Sequence, residues 1–200
     1  MLRILDIFFA AIALIVLGPL GMLIGIWVWI DTQNNPFFIQ ERVGKNGIIF
    51  SIIKYRTMRL NAQQMGGLTI GVNDKRITRS GYFLRKYKLD ELPQCWNILI
   101  GDMSMVGPRP ELPYFVEKFS EMQKIVLTVK PGLTDEATIF YKNESEILGE
   151  VNNPELYFLE KIVPHKIELN MIFINRQTVW NYLRIILKTA CCLLFSKNNH

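Results

Sequence analysis

Asp90 and Glu91 stand side by side in the run RKYKLDELPQCWN, Arg85 to Asn97. Arg85, Lys86 and Lys88 precede them and Pro93 follows. Proline suits the first turn of a helix, where backbone N–H groups have no internal partner. That places Asp90 near the N-cap of a helix running through Trp96. Two readings share this placement. In the first, Asp90 caps the helix and Glu91 favours the positive end of its dipole. In the second, the helix start attracts phosphate, and an aspartate held ionised by hydrogen bonds and the dipole is a nucleophile. Such a carboxylate repels the phosphate it attacks. The nearby cations screen that repulsion, and a divalent cation on Asp90 or Glu91 screens it better, since Mg²⁺ typically takes one or two carboxylates plus phosphate oxygens. These are the parts for phosphoryl transfer through an aspartyl phosphate.

The elements that must position this pair begin with a hydrophobic one. Ile7 to Ile30 carries no charge, and as a straight helix it is long enough for a hydrocarbon core of about 30 Å. Its length and the lack of a cleavage site argue against a secretory signal. Gly18-Pro19 lies mid-run: Pro19 deprives the Ile15 carbonyl of its helical partner and forces a kink. From pattern alone, a spanning helix and a re-entrant one stay open. Arg42, Lys45, Lys54, Arg56 and Arg59 follow closely, and the positive-inside rule then places the rest of the chain in the cytoplasm. Two β-branched runs around Asn46-Gly47 predict a hairpin. Residues 60–75 read as a loop, and Gly66-Gly67 with Gly71 form no dinucleotide fingerprint. A helical pattern covers Arg76 to Leu99, interrupted near Asp90. Gly107-Pro108-Arg109-Pro110 is extended, and Glu111 to Val129 reads as a helix ending at Pro131-Gly132. The last third, apolar with interspersed cations, is either a core helix or one lying in a membrane interface.

At 200 residues the chain fits one domain. Half of its residues are hydrophobic and its formal charge is +5, a balance that suits nucleic acid, anionic lipid or phosphorylated small molecules. The cations are scattered between apolar runs and form no nucleic-acid module, so nucleic acid is not an expected partner. Cys95, Cys191 and Cys192 make no disulfide framework, and with His165 and His200 isolated there is no metal spacing.

With these residues in view, the chain resembles the bacterial sugar transferases, the small monotopic phosphoglycosyl transferases. The matching stretches are Gln40–Met58, Arg76–Pro110 and KPGLT, Lys130–Thr134. The resemblance implies a mainly α fold with a small β-hairpin, a re-entrant membrane helix (1–32) broken at Gly18-Pro19, and a cytosolic-face catalytic domain (33–200) with interfacial amphipathic helices, in the bacterial inner membrane. It implies transfer of a sugar-1-phosphate from a UDP-sugar to undecaprenyl phosphate, with release of UMP. Asp90 is then the nucleophile, and Glu91 helps to bind Mg²⁺ or orients the pair. Arg85 holds phosphate, Lys54 falls on a recurrent family lysine, and Pro108, Arg109 and Pro110 match the motif near the nucleotide. No multi-span domain precedes the match, so the chain looks like the minimal catalytic unit, and a homodimer is compatible with it. A membrane-anchored scaffold with an inactive site is the alternative, and it requires loss of the pair or of Arg85. After KPGLT many relatives continue with Gly; here Asp135-Glu136-Ala137-Thr138 follows, which marks a subgroup and leaves the sugar open.

Overall fold

The computed structural model describes residues 1–60, 62, 68–71 and 74–195, with side chains described to residue 193. Gly66, Gly67 and His200 lie outside this set. Helix α1 spans Leu2–Thr32 and ends at Gln33 in the left-handed conformation, φ 52°. It runs through Pro19 without interruption, so the expected break at Gly18-Pro19 does not appear as a gap in the helix. One lost backbone bond is a small perturbation when the turns on both sides are packed. Ala10 sits in a core with Cys95 and Ile98, and Ile24 and Val28 sit in another with Tyr55 and Leu84.

A hairpin follows, β1 (Phe37–Val43) against β2 (Ile49–Tyr55), antiparallel with Phe37 opposite Tyr55 and Val43 opposite Ile49. Its turn places Asn46 at φ 58° and Gly47 at φ 77°, the left-handed pair that Asn-Gly supplies at low steric cost. The helical pattern after Arg76 resolves into α2 (Arg79–Lys86), a 3₁₀ turn at Leu89–Glu91 and α3 (Gln94–Ile100). Thr78 caps α2 by accepting from the Gly81 N–H at 3.0 Å. Gly81 is required there, because a Cβ would lie 2.1 Å from the Thr57 carbonyl oxygen.

Beyond α3 come β3 (Ser104–Val106), α4 (Pro113–Val116) and β4 (Gly132–Thr134), with β4 parallel to β3. The long helix expected from Glu111 to Val129 is absent: α4 is short, and only a 3₁₀ segment, Gln123–Thr128, follows. Ser120 and Gln123 explain the break. The Gln123 Oε1 accepts from the Ser120 N–H at 2.8 Å and the Ser120 hydroxyl accepts from the Gln123 N–H at 3.3 Å. This reciprocal capping box starts a new helical segment inside the apolar pattern. The chain ends with α5 (Glu136–Phe140), α6 (Glu144–Gly149), α7 (Pro154–Tyr157), a π turn at Phe158–Ile162, α8 (Val163–Asn175) and α9 (Val179–Phe195). In the last two helices Phe173, Tyr182 and Ile185 are core, while Ile172, Trp180 and Leu187 are exposed.

Helix α1 is tied to the rest of the fold at both ends. Near its start, Arg3 donates to the Leu99 carbonyl at 2.7 Å. Asp6, 3% exposed, accepts from the Ser104 hydroxyl, the Met105 N–H and the Tyr182 hydroxyl at 2.7, 2.9 and 2.8 Å. At its end, Asp31 accepts from the N–H and the hydroxyl of Ser80 at 2.8 and 2.7 Å. At mid-length the Tyr55 hydroxyl donates to the Gly21 carbonyl at 2.8 Å.

Candidate active site

Asp90 does not cap α3. The residue before that helix is Pro93, and no side chain caps it. Asp90 and Glu91 lie one turn earlier, on the 3₁₀ turn, and both are 8% exposed. Lys88 enters that turn at φ 56°. A non-glycine residue there costs about 1 kcal/mol or more. The sharp change of direction after α2 turns both carboxylates inward.

The two acids then diverge. Glu91 is paired: both guanidinium nitrogens of Arg109 donate to its carboxylate, and Lys54 Nζ lies 4.0 Å from Oε1. Burial pushes Glu91 up, but the charges of Arg109 and Lys54 outweigh it and hold the carboxyl well below its usual range. Asp90 accepts no hydrogen bond among the described residues. Burial, and next the charge of Glu91, push its carboxyl up, opposed by Lys54, Lys88 and Arg85. The cap hydrogen bonds expected to keep Asp90 ionised are absent, and burial with the charge of Glu91 outweighs the three cations, so its carboxyl stands above its usual range.

Each cation has its own support. Lys54 lies on the same face of β2 as Ile52, two residues before it, and Ile52 is core. Burial, then the charge of Arg109, lower the Lys54 ammonium to about 7. The edge of β2 is held by Asn97 of α3, whose Nδ2 donates to the Ser51 carbonyl at 2.7 Å while Oδ1 accepts from the Ile53 N–H at 3.0 Å. This amide fixes Lys54 relative to the acidic pair. Arg85, in the last turn of α2, donates from Nε to Thr57 Oγ1 at 2.9 Å and from Nη1 to Thr69 Oγ1 at 3.1 Å. Its guanidinium is an electrostatic neighbour of Asp90 without a hydrogen bond to it.

Arg109 is held by its main chain. The Gly107 N–H donates to the Thr134 carbonyl and the Gly132 N–H to the Pro108 carbonyl, each at 3.0 Å. A Cβ on Gly132 would meet the Gly107 nitrogen at 2.1 Å, so glycine in both stretches permits the contact. Arg42 Nη1 donates to the Pro110 carbonyl at 3.1 Å. Asp135 supplies the remaining anchor. Its Oδ2 accepts from the Arg109 N–H at 3.1 Å and from Asn170 Nδ2 at 2.7 Å, and Oδ1 caps α5 at the Thr138 N–H.

Lys54, Glu91 and Arg109 thus lie together, with Asp90 and Arg85 beside them, while Pro108 and Pro110 flank Arg109 in its loop. Gly18 and Pro19 lie mid-way along α1, apart from this site, with open space beside Gly18. Sequence reasoning missed Asn97, Arg42 and Asn170, and it flagged Asp135 without a role. An acid opening DEATIF is a helix-start signal, so the cap was findable. The Asn97 contact depends on the tertiary approach of α3 to β2 and left no signal. Among the described residues no group of three or more His, Cys, Asp or Glu side chains could hold a metal. Asp90, a hard oxygen donor with no hydrogen bond of its own, suits Mg²⁺ as one ligand beside substrate phosphates. Glu91 could join only by sharing its oxygens with Arg109.

A buried acidic pair with Lys54, Arg85, Lys88 and Arg109 as its charged neighbours lies on a mainly helical scaffold whose first helix is, by length and composition, long and apolar enough to cross a membrane. The chain belongs to the bacterial sugar transferase family, which it matches over residues 1–196. It is 44% identical over 117 residues to a putative undecaprenyl-phosphate N-acetylgalactosaminyl 1-phosphate transferase of Bacillus subtilis, covering 58% of this chain and 65% of that protein. It is 37% identical over 198 residues to the UDP-glucose:undecaprenyl-phosphate glucose-1-phosphate transferase of Xanthomonas campestris, covering 96% of this chain and 38% of that one. It is 30% identical over 208 residues to the undecaprenyl-phosphate galactose phosphotransferase of Salmonella typhimurium, covering 96% and 40%. Where nearly the whole chain aligns, it spans about two fifths of these relatives' length.

Proposed function

We propose that this chain transfers a sugar-1-phosphate from a UDP-sugar to a polyprenyl phosphate, undecaprenyl phosphate being the acceptor named for its relatives. The division of labour within the acidic pair carries the reading. Glu91 is committed to Arg109 and Lys54, while Asp90 is left with a carboxylate free to form a bond. An Asp90 oxygen attacks the phosphorus that bears the sugar. The bond from that phosphorus to the bridging oxygen breaks and UMP leaves, so the sugar-phosphate becomes an acyl phosphate on Asp90. An oxygen of the lipid phosphate then attacks the same phosphorus, and Asp90 departs as carboxylate. Arg85, Lys54 and Arg109 offset the charge that accumulates. A Mg²⁺ ion, held by Asp90 and the donor phosphates with Glu91 beside them, would screen the carboxylate from the phosphate.

A one-leaflet arrangement at the cytoplasmic face of the inner membrane accompanies this chemistry. Support comes from α1, whose Asp6 and Asp31 ends both bond to the same domain. A helix crossing the bilayer away from that domain could not keep both anchors. Its outer face is apolar and exposed at Ile15, Val16, Met22, Leu23 and Trp29, as a surface for lipid must be. Every element that the scaffold alternative needs to be missing is present, so no observation favours that alternative.

The test is Asp90→Asn in the membrane-reconstituted protein. It should abolish UMP release from UDP-sugars, while the wild type incubated without acceptor should carry a phosphosugar on Asp90, detectable by mass spectrometry. Turnover surviving in Asp90→Asn would defeat the mechanism.

A further inference from the structure

Gln94 opens α3 and is 0% exposed. Neither Nε2 nor Oε1 of its amide has a hydrogen-bond partner among the described residues. Asn97, one turn further along α3, shows the contrast. It is 1% exposed, and both ends of its amide are bonded to β2. Buried amides are normally paired, and an apolar side chain of the same length would fill the space of Gln94 without an unmet donor. The position of Gln94 says what that donor can reach. Leu92 and Pro93 keep right-handed helical dihedrals, φ −52°, ψ −39° and φ −62°, ψ −18°, so the 3₁₀ turn that carries Asp90 and Glu91 runs on into α3. Glu91, Gln94 and Asn97 then share one face, every third residue, with Asp90 beside Glu91. The two outer members of that row both face β2, Glu91 through Lys54 and Asn97 through Ser51 and Ile53. Long side chains on a helix lean over the preceding turn, which for Gln94 is the turn of the acidic pair.

Two groups on this stretch lack complements. Glu91 is taken by Arg109 and Lys54. Asp90, four residues before Gln94, is an acceptor without a donor, and Gln94 is a donor without an acceptor. Side chains three or four residues apart on a helix start about 5–6 Å apart at Cβ, a gap that a glutamine amide and a carboxylate span by rotating. We propose that Gln94 is the positioning residue of the nucleophile: its Nε2 donates to one oxygen of Asp90 and leaves the other to attack phosphorus. This rests on the Asp90 mechanism above. A carboxylate turns about its Cβ–Cγ bond unless one oxygen is held, and attack requires the other to face phosphorus in line. In the second half of the reaction the bond from Asp90 to phosphorus breaks, the electron pair returns to Asp90, and the same N–H meets the carboxylate again. Gln94 and Asp90 are unpaired in the structure, so the bond forms when Asp90 rotates to meet the donor's diphosphate.

The experiment compares wild type with Gln94→Met, which removes the amide and keeps the length, on the full chain in nanodiscs. The melting temperature of the variant should not fall, because the lost amide makes no bond in the fold. UDP-glucose, UDP-galactose and UDP-N-acetylgalactosamine are offered in turn without acceptor, and the phosphosugar on Asp90 is followed by mass spectrometry of quenched samples. Its formation should be about tenfold slower in Gln94→Met, the size of one hydrogen bond to a charged group. In turnover with acceptor, KM for the UDP-sugar should stay within about twofold while kcat falls. A wild-type rate in Gln94→Met would overturn the assignment, and so would slowing accompanied by a lower melting temperature, which marks a structural role. Should Gln94→Met not fold, Gln94→Asn takes its place: its amide stops one methylene short of Asp90, and a wild-type rate there would count equally against the proposal. If the wild type forms no phosphosugar, the Asp90 mechanism fails and the role of Gln94 with it. If it does and the variant matches it, only the role of Gln94 is removed.

Discussion

The Arg109–Glu91 pair offers the sharpest energetic test. Replacing Arg109 with Met leaves the Glu91 carboxylate, its side chain 10% exposed, with only Lys54 at 4.0 Å. Breaking a buried ion pair by removing one partner costs about 3–5 kcal/mol. Arg109 is partly exposed, at 29% of its side chain, so the lower end, about 3 kcal/mol, applies. For a chain of this size that corresponds to a fall in melting temperature of about 6–12 °C. The double variant Arg109→Met/Glu91→Gln removes the uncompensated charge as well, and should recover about 2 kcal/mol of the loss. Thermal unfolding of the four members of the cycle in one detergent measures this. The pH dependence provides a second check. Because the folded carboxyl lies below its ordinary 4.5, the pair's contribution is complete above that pH and fades as pH falls below it. The deficit of Arg109→Met should therefore shrink on acidification. A coupling within about 0.5 kcal/mol of zero, or a deficit indifferent to acid, would refute the view that the pair is a buried electrostatic unit.

Two further predictions concern the scaffold of the site. Lys54, lowered to about 7 by burial and then by the charge of Arg109, should give turnover an alkaline limb as its proton leaves above that pH; Lys54→Arg, if it folds, should move the limb upward, and an unmoved limb would exclude Lys54 as its source. Gly132→Ala places a methyl 2.1 Å from the Gly107 nitrogen, a backbone clash that should separate β3 from β4 and cost about 3 kcal/mol, visible as a large drop in melting temperature, whereas a shift below about 2 °C would show that the strands can part freely.

Local chemistry made several features legible. Asn46-Gly47 specified the hairpin turn because those residues accept positive φ, and the uncharged run after Asp6 specified one long apolar helix. The family stretches singled out Asp90, Glu91, Lys54, Arg85 and Arg109, and the fold places them near one another. Other assignments depended on distant partners. Period alone made Glu111–Val129 a helix, and the Ser120–Gln123 box divided it. β3 and β4, each three residues long, were too short to leave a strand pattern.

What the sequence by itself determined is the inventory: an acid pair, its cations, a turn and an apolar helix, all set by residue type and near neighbours. Only the tertiary structure decided which acid is free. Asp90 and Glu91 are adjacent in the chain and chemically alike, and they differ because Arg109, 18 residues further on, folds back onto one of them. That return path is fixed by the backbone of Gly107 and Gly132 and by the carboxylate of Asp135. An ion pair depends on distance in space, and the spacing of residues along the chain does not reveal it.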